Sequence, residues 1–271
     1  MAANLRAHRH HTLTLAVLLP LGALLAGCDV AHMELTGRAT EEWNRTYTLT
    51  PGGELEIINT NGKIDVEGAD IEQVEVRAER TARAATDAAA RDLLPRVSIT
   101  EEVKPDHIRI ETGQIDGITI GIGYEVRYSV RAPRGTVIRV TNTNGQVSAT
   151  GMTGQVFART TNGGVKAREM SGELSARTTN GGVEVEIAAL TAKVSLQTTN
   201  GGVQLTLPDD VQADLSASCT NGGINVSGLK LETTESTRRR VEGTLNGGGT
   251  LIDLRTTNGG IRVRARSSPA T

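Results

Sequence analysis

Aromatic side chains are nearly missing from this chain. Its 271 residues include one Trp, one Phe and three Tyr. Trp43, Tyr47, Tyr124, Tyr128 and Phe157 cannot fill a thick globular core, and they are too few for the stacking platforms that commonly grip sugar rings. Thin layers of Val, Ile, Leu and Ala remain as core material. Cysteine is as scarce: Cys28 and Cys219 alone exclude a disulfide framework. Of five histidines, His8, His10 and His11 lie close to the amino terminus. Only His32 and His107 remain, poor material for a His-based metal site or a Ser-His-Asp triad. His107 reads as a solvated residue in a polar turn. No metal or cofactor is expected. The formal charge is −2, and Arg238-Arg239-Arg240, a lone basic cluster, reads as a solvated loop, so no nucleic-acid partner is expected.

What the chain does have is repetition. The tripeptide Thr-Asn-Gly recurs seven times, centred on Asn61, Asn144, Asn162, Asn180, Asn200, Asn221 and Asn258. Counting each Asn as position zero, Thr stands at −1 and Gly at +1 in every copy. Position +3 is always β-branched, from Ile64 to Ile261, and positions −6 and −4 are always apolar. The residues between them are mostly polar or charged. Such period-two alternation on both sides of a turn marks strands with one buried face. Asn and Gly both tolerate positive φ, which suits the turn, and a second Gly follows in five copies.

The spacing separates two architectures. A hairpin meander closing into a barrel or sandwich keeps its apolar faces in phase and stays open as an alternative. Steps of 18, 18, 20 and 21 residues from Asn144 to Asn221 fit one coil of a β-solenoid better: strand, corner, strand, corner. Stacked coils would align the Asn side chains into a hydrogen-bonded ladder, since each amide donates and accepts. Position −2, with Thr160, Thr178, Thr198, Cys219 and Thr256, suits an inward column. The Thr at −1 form either an exposed hydroxyl row able to meet glycans or plain β-formers at a corner.

The amino terminus reads as an address. Arg6 and Arg9 form a basic start, and residues 13–25 form an apolar stretch too short for a comfortable membrane span. It ends in Leu25-Ala26-Gly27-Cys28, which resembles the lipobox of bacterial lipoproteins. The resemblance implies cleavage before Cys28 and acylation there, which anchors the chain to a membrane without a basic patch. Asp29 resembles a signal for inner-membrane retention and pulls against surface display. The expected organisation is a signal peptide at 1–27, a lipidated Cys and tether at 28–45, the repeat domain at 46–266 and a tail at 267–271. Trp43 and Tyr47 are expected to cover the first coil. Within the domain, Thr86 caps a short helix that Pro95 stops, strands are expected near 71–80, 97–103 and 107–112, and Ile118, Ile120, Ile122, Tyr124, Val126, Tyr128 and Val130 share one face. Residues 229–243 read as a polar loop and 250–266 as the last coil.

A short repeat, then strand, helix and strand, then Tyr-Glu-Val-Arg-Tyr-Ser-Val-Arg-Ala-Pro-Arg-Gly at 124–135, serial Thr-Asn-Gly copies and a Gly-Gly-Gly stretch together resemble the bacterial β-strand-repeat family of unknown function labelled "putative adhesin". The resemblance covers about residues 45–265. It implies a right-handed β-solenoid-like domain on an envelope protein and supplies no catalytic residues. A polysaccharide-active β-helix enzyme would need acids in one column. The columns at +4 and +6 collect none, and Asp209, Asp210 and Asp214 read as a solvated turn. The expectation is therefore a non-enzymatic envelope lipoprotein with an adhesin-like surface, partnered by the membrane and by a glycan or envelope protein. A periplasmic structural or stress accessory is the alternative.

Overall fold

The computed structural model describes residues 35–115 and 121–266. The signal peptide, Cys28, Asp29, Ile118, Ile120 and the tail at 267–271 lie outside the described residues. Twenty-one strands and one short helix follow in chain order. The first part holds β1 (Gly37–Tyr47), β2 (Glu54–Asn61), β3 (Ile64–Ala69), β4 (Val74–Ala84), α1 (Asp87–Leu93), β5 (Ile99–Val103), β6 (His107–Thr112) and β7 (Gly123–Pro133). The repeats hold β8 (Val137–Asn144), β9 (Val147–Thr150), β10 (Val156–Asn162), β11 (Val165–Met170), β12 (Leu174–Asn180), β13 (Val183–Ile187), β14 (Val194–Asn200), β15 (Val203–Leu207), β16 (Ala213–Asn221) and β17 (Ile224–Ser227). The end holds β18 (Leu231–Ser236), β19 (Arg240–Leu245), β20 (Thr250–Asn258) and β21 (Ile261–Ala265).

Strands before each Asn-Gly corner line up in one sheet, ordered β5-β6-β2-β8-β10-β12-β14-β20-β16-β19-β18. Those after it line up in a second, ordered β1-β4-β7-β3-β9-β11-β13-β15-β21-β17. The repeat strands pair in parallel, with each Asn opposite the next. Every coil sends at least four apolar side chains inward, for example Leu174, Ala176, Val183 and Val185, all buried. They form one continuous core between the sheets. At about 1.5–3 kcal/mol per buried aliphatic side chain, one coil cannot offset its own ordering entropy of about 1–2 kcal/mol per residue. It holds by stacking on its neighbours.

Space does not follow sequence at the carboxyl end. The coil of Asn258 lies between those of Asn200 and Asn221: β20 pairs with β14 on one side and β16 on the other, and β21 lies between β15 and β17. Residues 250–266 are thus last in the chain but next to last in the stack, which corrects the expected order. The stretch 229–243, expected as a loop, contains β18 and most of β19, an antiparallel hairpin that extends the first sheet beyond β16. It covers the core's end with Val241 and Leu245, both buried. Its tip also stands in for a further coil. The Arg238 carbonyl accepts from Ile224 N at 3.1 Å, the bond that the second corner Gly accepts elsewhere, as from Val183 N to Gly202 O at 2.9 Å.

The other end is closed by β7, β4 and β1, paired antiparallel. The assigned tether therefore gives way at residue 37 to an eleven-residue strand. Its sequence hides this because only Gly37, Ala39 and Tyr47 are buried. Tyr47 and the half-buried Trp43 lie on β1, an edge strand, and so cover the end of the stack and not the first repeat coil directly. The Thr86 hydroxyl accepts from Ala89 N at 3.2 Å and caps α1, whose Ala90 and Leu93 are buried. Tyr128 joins the two sheets through a 2.7 Å hydrogen bond with Thr112, and burial pushes its phenol up to about 12. His107 opens β6 instead of sitting in a turn, 3.6 Å from Glu54.

The inward column at −2 is polar except at Cys219. Thr160, Thr178, Thr198 and Thr256 donate to the corner Gly carbonyl of the neighbouring coil at 2.7–3.1 Å. In the first two coils Asn59 and Asn142 take this place, both buried. Asn142 Nδ2 reaches Gly62 O at 2.9 Å and Gly145 O at 3.2 Å, yet its Oδ1 is buried without a partner. Replacing Asn142 by Thr keeps a donor for Gly62 and removes the orphaned acceptor, so urea unfolding is expected to shift by less than about 1 kcal/mol. Asn142→Leu strands the carbonyl and is expected to cost about 2 kcal/mol.

Candidate binding face

The corners are built from the Asn side chains. From Asn144 onward each Nδ2 donates to the Oδ1 of a neighbouring Asn at 2.7–2.8 Å, in the spatial order 61, 144, 162, 180, 200, 258, 221. The corner Gly N–H donates in parallel to the next Asn carbonyl at 2.8–2.9 Å. The rigid edge that results carries three outward rows on the first sheet and its corner.

Nearest the corner is a row of Thr at −1. Thr143, Thr161, Thr179, Thr199, Thr257 and Thr220 are exposed, and their hydroxyls have no hydrogen-bond partner among the described residues. Two residues back lies the −3 row: Thr141, Arg159, Arg177, Gln197, Arg255 and Ser218 on adjacent strands. The Arg177 guanidinium donates to Gln197 Oε1, and Arg255 Nε lies 3.0 Å from Asp253. Arg159 has no ionic partner among the described residues. On the far side of the Asn ladder, at +2, run Gly164, Gly182, Gly202, Gly260 and Gly223, a lane without side chains. Lys63 and Gln146 fill the same position in the first two coils.

Many charges elsewhere are paired. Glu54 takes both ends of Arg139 at 3.1 Å, while Arg109 bridges Glu56 and Glu111. Across the second sheet, Lys166 faces Glu184 and Glu75 faces Arg131. The Asn258 coil sets Arg255, Arg262 and Arg264 between the uncharged outward residues Gln197, Gln204 and Thr206 of one neighbour and Ser218, Asn225 and Ser227 of the other.

A concavity of about 1120 Å³ opens beside Lys63, Arg83, Tyr124, Arg127 and Asn144. Asp209, Asp210 and Asp214 lie exposed on and just after a turn. Among the described residues no three His, Cys, Asp or Glu come together as metal ligands, and no helix is long and apolar enough to cross a membrane. Cys219 is buried and free.

The Toastrack DUF4097 family model matches residues 53–264, most of the chain. The chain belongs to this family. Solved structures similar to this Toastrack chain include a "putative cell adhesion protein" from Clostridium sporogenes, at 13% identity and a TM-score of 0.48, with 84% of this chain and 100% of that one covered. A "putative adhesin" from Bacteroides fragilis follows at 9% identity and 0.32, covering 83% and 97%. A "putative lipid binding protein" from Parabacteroides distasonis has 8% identity and 0.26, covering 83% and 97%. No curated protein matches the chain.

Proposed function

We propose that this Toastrack chain is a non-enzymatic cell-envelope lipoprotein, acylated at Cys28, whose stack is a right-handed β-solenoid presenting an adhesin-like surface. The observation that carries this reading is the row of unpartnered Thr hydroxyls held in strict register on a hydrogen-bonded edge. A fixed, repeating display of donors and acceptors suits recognition of an extended partner. The adhesin descriptions of similar structures agree with it.

Membrane fractionation of wild type and Cys28→Ala, together with protease treatment of intact cells, tests it. The wild type is expected in the membrane fraction and the variant in the soluble one. Digestion in intact cells supports display at the surface. Protection until the envelope is opened would replace the adhesin reading with a periplasmic accessory, the role that Asp29 favours.

A further inference from the structure

The outward surface of four neighbouring coils, those of Asn162, Asn180, Asn200 and Asn258, carries two features together, the second of which continues into the Asn221 coil. The first is the like-charge pair. Arg159 stands directly opposite Arg177 in the register of β10 and β12, an arrangement that destabilises a sheet. Like charges also face each other elsewhere, Arg38 opposite Arg83, Glu42 opposite Glu79 and Glu235 opposite Glu242, but there an opposite charge is at hand: Glu79 for Arg38, Arg77 for Glu42 and Arg240 for both Glu235 and Glu242. Here the flanking outward residues are Phe157, Ser175 and Ser195, and the nearest acid in the stripe, Asp253, is taken by Arg255. The row holds three guanidinium groups and no carboxylate.

The second is the glycine lane. Its φ angles are not those that demand Gly. A Cβ at Gly182 would make only an ordinary contact with Gly202 O, at 3.5 Å, while at Gly164, Gly202 and Gly260 it would meet a backbone oxygen at 3.2–3.3 Å, which would have to give by a few tenths of an ångström. Two coils carry Lys63 and Gln146 there without disturbing the corner bonds. Arg at −3 occurs only in coils that have the second Gly. Charge and clearance thus coincide on the same coils, beside the Thr hydroxyls. At about 4.8 Å per strand the strip runs about 14 Å along the stack.

We propose that this strip binds an anionic polysaccharide of the uronate class, lying along the stack axis. Its carboxylates engage Arg159, Arg177 and Arg255, and its hydroxyls meet the Thr row. Guanidinium groups take carboxylates through paired N–H bonds, while Thr hydroxyls both donate and accept. The bare lane lets sugar rings approach the corner. A neutral glycan lacks the charge, and the aromatic beside the strip, Phe157, is already covered by the Arg139 guanidinium, 4.6 Å from its ring centre. A single-stranded nucleic acid would need a series of aromatic side chains on which its bases stack, and the strip has none free. The proposal rests on the binding-surface reading above and names its ligand.

The test uses the full chain in detergent, with polygalacturonate as probe and dextran as the neutral control. Wild type is expected to bind polygalacturonate, to weaken with added salt and to ignore dextran. Arg159→Gln/Arg177→Gln is expected to bind at least tenfold more weakly, and Arg159→Lys/Arg177→Lys to recover part of the loss. Because the Gln variant removes repulsion, its melting temperature is expected to stay level or rise, which separates lost binding from lost fold. Failure of wild type to bind polygalacturonate, equal binding of dextran, or undiminished binding by the Gln variant would overturn the proposal. Binding to envelope fragments, measured in parallel, separates the two readings. If it persists without uronate binding, only this ligand falls. If neither occurs, the adhesin reading falls too.

Discussion

A chain ending at Gly249 is expected to lose far more than its last coil. The deleted segment supplies Ile252, Leu254, Ile261 and Val263, all fully buried. At about 1.5–3 kcal/mol each, their loss is on the order of 10 kcal/mol, comparable to the whole stability of a domain, about 5–15 kcal/mol. Its position makes the damage spread. β16 then keeps only β19 as a partner, and β17 keeps none. Hydrogen exchange should therefore run freely through residues 213–245 as well, and thermal unfolding should lose its single sharp transition. Continued protection of 213–245 would mean that the Asn221 coil drops directly onto the Asn200 coil, and the inserted layer would then be dispensable.

Gly181→Ala and Gly182→Ala, adjacent and chemically identical, are expected to differ severalfold in cost. A Cβ at Gly181 would sit 2.2 Å from Gly163 O, and φ there is 151°. That carbonyl also accepts the Thr178 hydroxyl, so it cannot retreat without breaking an inner bond. The coils would have to part, at a cost of about 4 kcal/mol or more. At Gly182 the nearest atom is 3.5 Å away and φ is unexceptional, so the change should stay within about 1 kcal/mol. Urea denaturation of the two variants decides this. Equal midpoints would refute the close-approach account of the first corner Gly. All seven of these glycines share the constraint, with a Cβ meeting backbone oxygen at 1.9–2.2 Å.

The all-β class could be read from sequence because burial follows period two wherever a strand has one wet face, as in β12, where Leu174, Ala176 and Thr178 are buried and Arg177 and Thr179 are exposed. Helix α1 was equally readable, since Thr86, Asp87 and Pro95 punctuate it. Neighbour order could not be read. The coils of Asn200, Asn221 and Asn258 carry the same apolar positions and the same corner, so any of them fits beside any other by pattern alone. What decides is the hairpin β18–β19, whose tip supplies the carbonyl of Arg238 as a terminal cap and so makes the Asn221 coil an end piece. That hairpin is hidden in the sequence because Glu232, Thr233 and Thr234 are exposed and leave few apolar residues to alternate. β1 is hidden for the same reason: it lies on an edge, with Glu41, Glu42 and Asn44 toward solvent. The candidate face was visible in outline as Arg, Thr, Asn and Gly in series, but its central Arg177–Arg159 opposition needs the register, and Arg255 joins the row only through the inserted coil.

The corner bonds also bear on chemical durability. Asparagine followed by glycine is the pair most prone to lose its amide, because the unhindered glycine nitrogen can attack the side chain and close a five-membered imide ring. Amides of this kind are among the heat-sensitive groups of proteins. A chain with seven such pairs would age quickly as a loose polymer. In the stack, the glycine nitrogens of six pairs, Gly62, Gly145, Gly163, Gly181, Gly201 and Gly259, are donated to the next coil, and each of the seven amides is held by at least one neighbouring Asn side chain. The contacts that join coil to coil therefore also withhold the attacking atom from its target, and a sequence that is short-lived when unfolded becomes long-lived once stacked.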